Sequence, residues 1–268
     1  VVISLIVGVI FGSQFNANWS EILLMFNAQS FGTTDPQFGL DNGFYVFVLP
    51  GLKLVLAAVA MLLGVGLVFS VVTHVLMGGI RITMPVNGRG LFSITKRCRR
   101  QLGIWLMLNM FAWAVRQMIG VFDQLTVQGS RITGASYTAV HANIPVTFIM
   151  AALTAILGVV LGIWLMRSHT LEGQASIGVR ASAALKAWRV PVTSIAVVVV
   201  VGLVLTVAWP VLLQRFRVNP NAQEMESTYI QRNIDATRAA YGLDKLKTEQ
   251  YKVTDKGEQG ALAKEGDT

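Results

Sequence analysis

Three polar side chains recur at a regular spacing in and beside one apolar stretch, and they are the first candidates for chemistry. Asn109, Arg116 and Asp123 stand seven residues apart, so on a helix they form one slowly drifting stripe. Ionisable residues inside a membrane are costly and tend to face a bundle interior or a cavity. The stripe is therefore either a polar track for a transported solute or a set of structural contacts. In the second case Arg116 extends to the interface near Asp123, and Asn109 bonds to a neighbouring helix.

A second candidate is a group of six basic residues in a segment that contains no acid. Such residues could hold the headgroups of anionic lipids, at about 1 kcal/mol for each residue near the surface. They are Arg81, Arg89, Lys96, Arg97, Arg99 and Arg100. The same residues also act as a topology signal, and the two roles are compatible. Cys98, the single cysteine of the chain, lies among these cations, which can make a thiol reactive; the alternative is an incidental thiol.

The remaining titratable residues do not predict a metal or a cofactor. Glu21, Asp35 and Asp41 match no calcium loop in their spacing and are typical of turn carboxylates. The chain contains no GxxxxGK[ST], HExxH or GxSxG motif, so it offers no phosphate loop, zinc helix or nucleophile elbow. Its basic residues are not interleaved with aromatic ones in the manner of a nucleic-acid surface.

These candidates must be positioned by strongly apolar elements. Hydrophobic residues make up 53% of the chain and charged residues 13%, against about 25% charged residues in soluble domains. Backbone groups in lipid must be satisfied internally, so apolar runs of this kind predict helices. The prediction is an all-α polytopic membrane protein with five spans, at about 1–12, 51–77, 102–121, 145–166 and 191–213.

The first of these runs is too short to cross a bilayer, which takes about 20 helical residues. We therefore expect a truncated first span and interpret the chain as a central fragment of a longer protein. Residues 1–213 form the predicted bundle, and residues 214–268 form the predicted beginning of an extracytoplasmic region.

The charges of the connecting segments predict an orientation in the plasma membrane. Segments 78–101 and 167–190 are rich in Lys and Arg, and basic short loops face the cytoplasm. Segment 13–45 has no basic residue and segment 122–144 has only Arg131. Segments 13–45 and 122–144 and the tail 214–268 are therefore expected outside the cytoplasm.

Two helix faces are predicted to make contacts. An amphipathic helix is expected over 228–241, with Ile230, Ile234 and Tyr241 as a docking face at helical spacing. In the fourth apolar run Gly158 and Gly162 form a GxxxG pattern, which lets helix backbones approach closely.

Four stretches together resemble a known family. They are DPQFGLDNGFYVFVLP (35–50), GASYTAVHANIP (134–145), RFRVNPNAQEME (215–226) and YIQRNIDATRAAYGLD (229–244). In this order they resemble bacterial uncharacterised protein family 0182, and Asn42-Gly43 departs from the apolar residue and serine expected there. The resemblance implies a multi-pass membrane protein with a large extracytoplasmic region after the helices. It provides no established catalytic residues.

The function favoured by these patterns is a membrane anchor and assembly subunit of a bacterial cell-envelope protein. Its expected partners are the lipid bilayer, including anionic lipids, and other membrane or envelope proteins. Two alternatives remain at this stage. One is a transporter or channel component, and the other is an enzyme whose active site lies in an outer region beyond this chain.

Overall fold

The fold is a bundle of long apolar helices with shorter elements gathered at its two ends. It is known from a computed structural model, which describes residues 2–82, 92–127, 133–168, 177–243 and 246. The α-helices are α1 (Val2–Ala17), α2 (Trp19–Phe26), α3 (Leu49–Leu76), α4 (Lys96–Gly120), α5 (Ile144–Arg167), α6 (Ile177–Leu203), α7 (Trp209–Leu213) and α8 (Ala222–Ala240).

Four helical rods of the described chain are long and apolar enough to cross a membrane. Each rod combines an α-helix with neighbouring helical turns, and together they cover Phe44–Leu76, Lys96–Leu125, Ala139–Arg167 and Arg189–Val218. These rods include the second to fifth predicted spans. The predicted first span corresponds to α1, which has 16 residues, and five spans therefore stay a prediction.

The rods extend further than the apolar runs alone indicated. The second begins at Lys96 instead of 102, because Thr95 caps it by accepting a hydrogen bond from the Cys98 N–H and the basic residues that follow are good helix formers. The last rod continues to Val218 instead of ending at 213. Polar residues at the ends of an apolar run can continue the helix toward the interface.

Prolines shape three of these rods. Pro50, Pro145 and Pro210 each stand at the start of an α-helix that follows a π-helical turn, and these turns are Phe44–Val48, Ala139–Asn143 and Val204–Ala208. Proline removes one backbone donor and crowds the carbonyl four residues earlier. A wider turn before the proline relieves that crowding without ending the rod.

A β-hairpin occupies part of the segment that was predicted as a loop in an all-α fold. Strands β1 (Ile80–Ile82) and β2 (Phe92–Ile94) pair antiparallel. Behind the hairpin, Ile94, Cys98 and Leu102 form a buried cluster packed against neighbouring apolar side chains. The hairpin thus covers the beginning of α4.

The closest helix pair is α4 and α5, where glycines allow the backbones to approach. A Cβ on Gly158 would lie 2.4 Å from the Met110 Cβ, and one on Gly162 would lie 2.9 Å from the Gly103 carbonyl oxygen. Any larger residue would push the helices apart. Gly158 and Gly162, the predicted packing residues, therefore lie at this contact.

The rods alternate in direction, so their connections gather at two ends. Phe122, after α4, contacts Phe44, before α3, and Arg99, early in α4, contacts Ser168, after α5. We call the described residues of segments 31–47 and 121–138, together with α8, the tyrosine end. We call the described residues of 77–101 and 167–168 the arginine end.

Candidate functional site

At the tyrosine end, the segment 31–47 is folded around two carboxylates. Asp41 accepts hydrogen bonds from the Ser30 hydroxyl at 2.6 Å and from the N–H groups of Phe31 at 3.0 Å, Gly32 at 3.0 Å and Gly43 at 2.7 Å. The Ser30 hydroxyl and then these N–H groups lower the pKa of Asp41 to about 2. The charged carboxylate is thus a template for the turn.

Asp35 is buried and accepts hydrogen bonds from the backbone of the next turn in the same way. Its side chain is 8% exposed and accepts from the N–H groups of Gln37 at 2.8 Å, Phe38 at 2.6 Å and Leu40 at 3.0 Å, and from the Tyr45 hydroxyl at 2.7 Å. Burial raises the pKa of Asp35, but these hydrogen bonds outweigh burial, so its pKa lies below the ordinary value. Four donors use the acceptor capacity of the carboxylate.

These hydrogen bonds engage both carboxylates of segment 31–47. Asp35 and Asp41 are each occupied by their own turn, and the described residues hold no group of three or more metal-ligating side chains. Gly43 also has a structural role, because a Cβ there would lie 2.2 Å from the Gln29 carbonyl oxygen. The departure at Asn42-Gly43 therefore matches a close backbone contact.

An aromatic cluster fastens this segment to the bundle. Phe122 meets Phe38, Phe44 and Tyr45 edge to face, with ring centroids 5.0, 5.3 and 6.3 Å apart. Edge-to-face pairs at such distances add about 0.5–1.5 kcal/mol each beyond area burial. The segment 31–47 is therefore held against the end of the second rod.

A second cluster is centred on Tyr137 and joins the fourth rod and α8 to the bundle. The Tyr137 N–H donates to the Glu226 carboxylate at 3.1 Å, and Glu226 is 7% exposed. The Tyr137 ring stacks on His141 with centroids 4.1 Å apart, meets Tyr229 edge to face at 6.3 Å, and lies 6.0 Å from the Arg217 guanidinium.

Two further hydrogen bonds join the same segments. The Thr138 hydroxyl donates to the Gln214 side chain, and the Asn233 amide donates to the Thr133 carbonyl at 2.8 Å. Together, the three tyrosine-end segments enclose a cavity of about 330 Å³, and its lining includes Asp35, Asn42, Tyr45, Thr133, Tyr229 and Arg232. This cavity and its lining constitute the candidate functional site.

The three residues of the polar stripe make separate contacts in the structure. Asp123 pairs with Lys53 at 2.8 Å instead of with Arg116, whose guanidinium lies 6.0 Å from the Trp113 ring. The Asn109 amide donates to the Leu63 carbonyl of α3 at 3.1 Å. The three residues thus contact three different neighbours, and Lys53 is the partner that sequence spacing did not reveal.

At the arginine end, the six predicted lipid-contacting residues separate into different environments. Lys96, Arg97 and Arg100 are exposed. Arg99 is 1% exposed and donates to the Ser168 carbonyl after α5, so its predicted role as a lipid contact is corrected to that of a cap for that helix. Buried cations suit a helix C-terminus because they offset its partial negative charge.

The Arg81 side chain and all of Arg89 lie outside the described residues. Cys98 is 0% exposed, which disfavours a reactive thiol and agrees with the alternative of an incidental one, because a buried sulfur is inaccessible to an oxidant. Although the residues next to Cys98 in the sequence are basic, the cysteine side chain itself is buried.

The tail helix contacts the bundle through a face that differs from the predicted one. It begins at Ala222 and ends at Ala240, and its contacts come from Glu226, Tyr229 and Asn233. Of the predicted docking face, Ile230 is half-buried, while Ile234 is 40% and Tyr241 is 77% exposed. At about 100° for each residue, the two faces are separated by roughly a quarter turn.

The fold and this site define a class: a helical protein with several apolar rods and a hydrogen-bonded structure at one end. The sequence matches the family described as Uncharacterised protein family (UPF0182) over residues 1–268. The chain belongs to this family.

Individual relatives agree with this assignment. A UPF0182 protein of Bifidobacterium adolescentis is 79% identical over 98% of the chain, one of Kocuria rhizophila 35% over all of it, and one of Corynebacterium glutamicum 33% over 91%. The chain spans 24%, 25% and 23% of these relatives, respectively. No solved structure matches the chain.

The four stretches that carry the family resemblance meet at the tyrosine end. Segments 35–50, 134–145 and 229–244 all contribute to the cavity lining, and segment 215–226 supplies Arg217 and Glu226 to the Tyr137 cluster. The topology predicted from the sequence put the loops and the tail that contain these stretches on the same side of the membrane, but the sequence did not identify Glu226, Tyr137 or Phe122 as contact residues. Their long-range partners lie 77 to 92 positions away along the chain.

Proposed function

We propose that this part of the protein is a membrane anchor whose tyrosine end forms a rigid seat for an extracytoplasmic region. In this proposal α1 contributes to a fifth span, and the protein lies in the plasma membrane of a bacterium. The arginine end faces the cytoplasm, where exposed Lys96, Arg97 and Arg100 contact anionic lipids. The seat faces outward and positions the chain that follows α8.

The convergence of distant segments at the tyrosine end is the observation that carries this proposal. Glu226 and Tyr137 are 89 residues apart, and Asn233 and Thr133 are 100 apart, yet each pair is joined by a hydrogen bond. Such contacts give α8 a defined position relative to the rods. A flexible tether would not need a buried carboxylate or an aromatic cluster.

Transport receives less support from the described bundle. A solute path needs polar groups that face a shared wet cavity. Here Lys53 bonds to Asp123, Asn109 bonds to backbone carbonyls, and Gln117 bonds to Thr154. Polar side chains that bond to one another or to the backbone favour helix packing over conduction.

A comparison of the two faces of α8 in the full-length protein tests the seat. Glu226→Ala together with Tyr229→Ala removes the contact with the Tyr137 cluster, and we expect faster chymotryptic cleavage near α8 with normal membrane insertion. The matched control is Ile234→Asp with Tyr241→Asp on the exposed face, which leaves those contacts intact.

The two variants distinguish a seat formed within this protein from a docking face for a partner protein. Faster cleavage in the first variant alone supports the seat, and release of co-purifying envelope proteins by the second variant supports docking through the exposed face. If the first variant is cleaved like the wild type, the seat is wrong. If the first variant loses the flux of a solute while its cleavage stays unchanged, the transport alternative is favoured.

Orientation has its own test, for which Cys98 is unsuitable because it is buried. In a full-length protein without other cysteines, Met77→Cys reports the arginine end, where Met77 is 81% exposed, and Ala239→Cys reports α8. We expect an impermeant maleimide to label Ala239→Cys in intact cells and Met77→Cys only after permeabilisation. The reverse pattern would invert the proposed topology.

A further inference from the structure

An apolar groove follows one face of α5 toward the arginine end. Its first part, between α4 and α5, is a cavity of about 510 Å³ lined by Phe111 and Ile156 among others. Its second part, between α5 and α6, measures about 390 Å³ and includes Val190 of α6. Val159 and Val160 line both parts, so the two parts form one groove.

The polarity of the groove changes along its length. From α5 it is lined by Ile156, Val159, Val160, Ile163, Trp164 and Arg167, which recur at the three- and four-residue spacing of a single helix face. The lining is apolar up to Trp164, and the exposed Arg167 follows at the mouth. Tryptophan is enriched where hydrocarbon meets the headgroups. This order matches a phospholipid, with its chain in the apolar part and its phosphate at the arginine.

The length of the groove also matches one leaflet. Its lining on α5 extends from Ala155 to Arg167, and at 1.5 Å for each residue this stretch is about 18 Å long. Half of a hydrocarbon core about 30 Å thick is about 15 Å. A lipid with its phosphate at Arg167 would thus place its chain along the whole groove.

We propose that the groove binds an acyl chain of an anionic phospholipid from the leaflet at the arginine end, with the phosphate against Arg167. The groove opens sideways, since Phe111 is 61% and Ile156 is 58% exposed, so a lipid enters without helix movement. The site differs from the surface residues Lys96, Arg97 and Arg100, which do not line it. It goes beyond the anchor role and requires only that the rods cross a membrane.

Native mass spectrometry of the full-length protein from nanodiscs of equal phosphatidylglycerol and phosphatidylcholine measures the preference for the anionic lipid. A basic residue near the surface contributes about 1 kcal/mol, so we expect Arg167→Gln to lower the bound ratio about fivefold. Arg167→Lys retains the charge and should retain most of the preference. Arg116→Gln, an exposed arginine of the second rod that lies outside the groove and near the tyrosine end, is the matched control. An equal loss in both glutamine variants would overturn the site, because it would indicate general surface attraction.

The occupant of the apolar part is identified by cross-linking. A photoreactive benzoylphenylalanine in place of Ile156 should capture a phospholipid, and Val159→Phe, which fills the groove, should abolish that adduct. Val197→Phe, on an exposed position of α6 outside the groove, should leave the adduct unchanged. Capture of a peptide would overturn the proposal, because a helix of this protein or of a second copy would then occupy the groove. An adduct that survives Val159→Phe would overturn it as well.

Discussion

The two ends of the bundle are built by different physical means. At the tyrosine end, aromatic rings and the Glu226 carboxylate join segments that are distant in sequence. Asp35 and Asp41 each accept four hydrogen bonds within segment 31–47 or from Ser30 beside it. At the arginine end, Lys96, Arg97 and Arg100 are exposed to the surroundings, and the charge of such residues matters more than their exact geometry. One end therefore depends on specific partners, and the other depends mainly on the sign of its charge.

Arg99 is the exception that makes the comparison informative. It lies between exposed cations, yet it is buried and bonded to the Ser168 carbonyl. Removing one partner of a buried polar contact costs more than removing an exposed charge. At either end, the stability lost on substitution should therefore depend on whether the residue is buried and hydrogen-bonded.

The largest effect is expected at Asp35. Asp35→Ala leaves three backbone N–H groups and the Tyr45 hydroxyl without their acceptor. Each bond to a charged group is worth about 1.5–3 kcal/mol, and the freed donors regain part of this by bonding to water, so we expect a net loss of about 3–5 kcal/mol from the stability of segment 31–47. Chymotryptic cleavage of this segment, followed in mild detergent, measures the loss. Asp235→Ala, an exposed acid of α8, is the control. Similar cleavage of both variants would show that segment 31–47 does not depend on the hydrogen bonds of the Asp35 carboxylate.

A smaller effect is expected at Arg99. Arg99→Met keeps the length of the side chain but removes the donor to the end of α5, and we expect a loss of about 2–3 kcal/mol in the free energy of unfolding. Arg100→Met should change it by less than about 0.5 kcal/mol. Thermal unfolding in detergent compares the two variants. Equal effects would show that burial does not separate these neighbouring arginines.

The smallest effect is expected when the pH is lowered enough to protonate Asp41. Because the folded pKa of Asp41 is about 2, its contribution to stability is fully present above the unfolded value of about 3.9 and is lost as the pH falls through about 2. An NMR titration of the Asp41 carboxyl carbon should give this low midpoint. Ser30→Ala should raise the midpoint, because the Ser30 hydroxyl contributes most to the shift. An unchanged midpoint in that variant would contradict the template role of the carboxylate.

Local patterns in the sequence were sufficient for the helices but insufficient for their contacts. Four of the five predicted spans coincide with long apolar rods of the described chain, because a helix that faces lipid is determined by the composition of its own residues. Helix ends were less accurate: α8 begins at Ala222 instead of 228. The β1–β2 hairpin was missed, since three-residue strands leave little periodicity to detect.

At the candidate site, too, the sequence indicated the short-range contacts but not the long-range ones. The carboxylates of Asp35 and Asp41 were interpreted as turn residues, and their short-range hydrogen bonds agree with the turn signals around them. Phe122, Tyr137 and Glu226 were not identified, because nothing in their immediate neighbourhood distinguishes them. Arg99 and Arg100 are adjacent cations in the sequence, and only their positions on α4 show that one is buried and the other exposed.

The sequence by itself determined the family, the apolar rods and the uneven distribution of basic residues among the connections, since each depends on residue identities along the chain. The tertiary structure decided which polar groups meet: Lys53 with Asp123, Tyr137 with Glu226, and Arg99 with Ser168. The physical reason is that helix formation depends on nearby residues, whereas the partner of a side chain depends on how the rods pack. That packing brings four dispersed segments together at the tyrosine end.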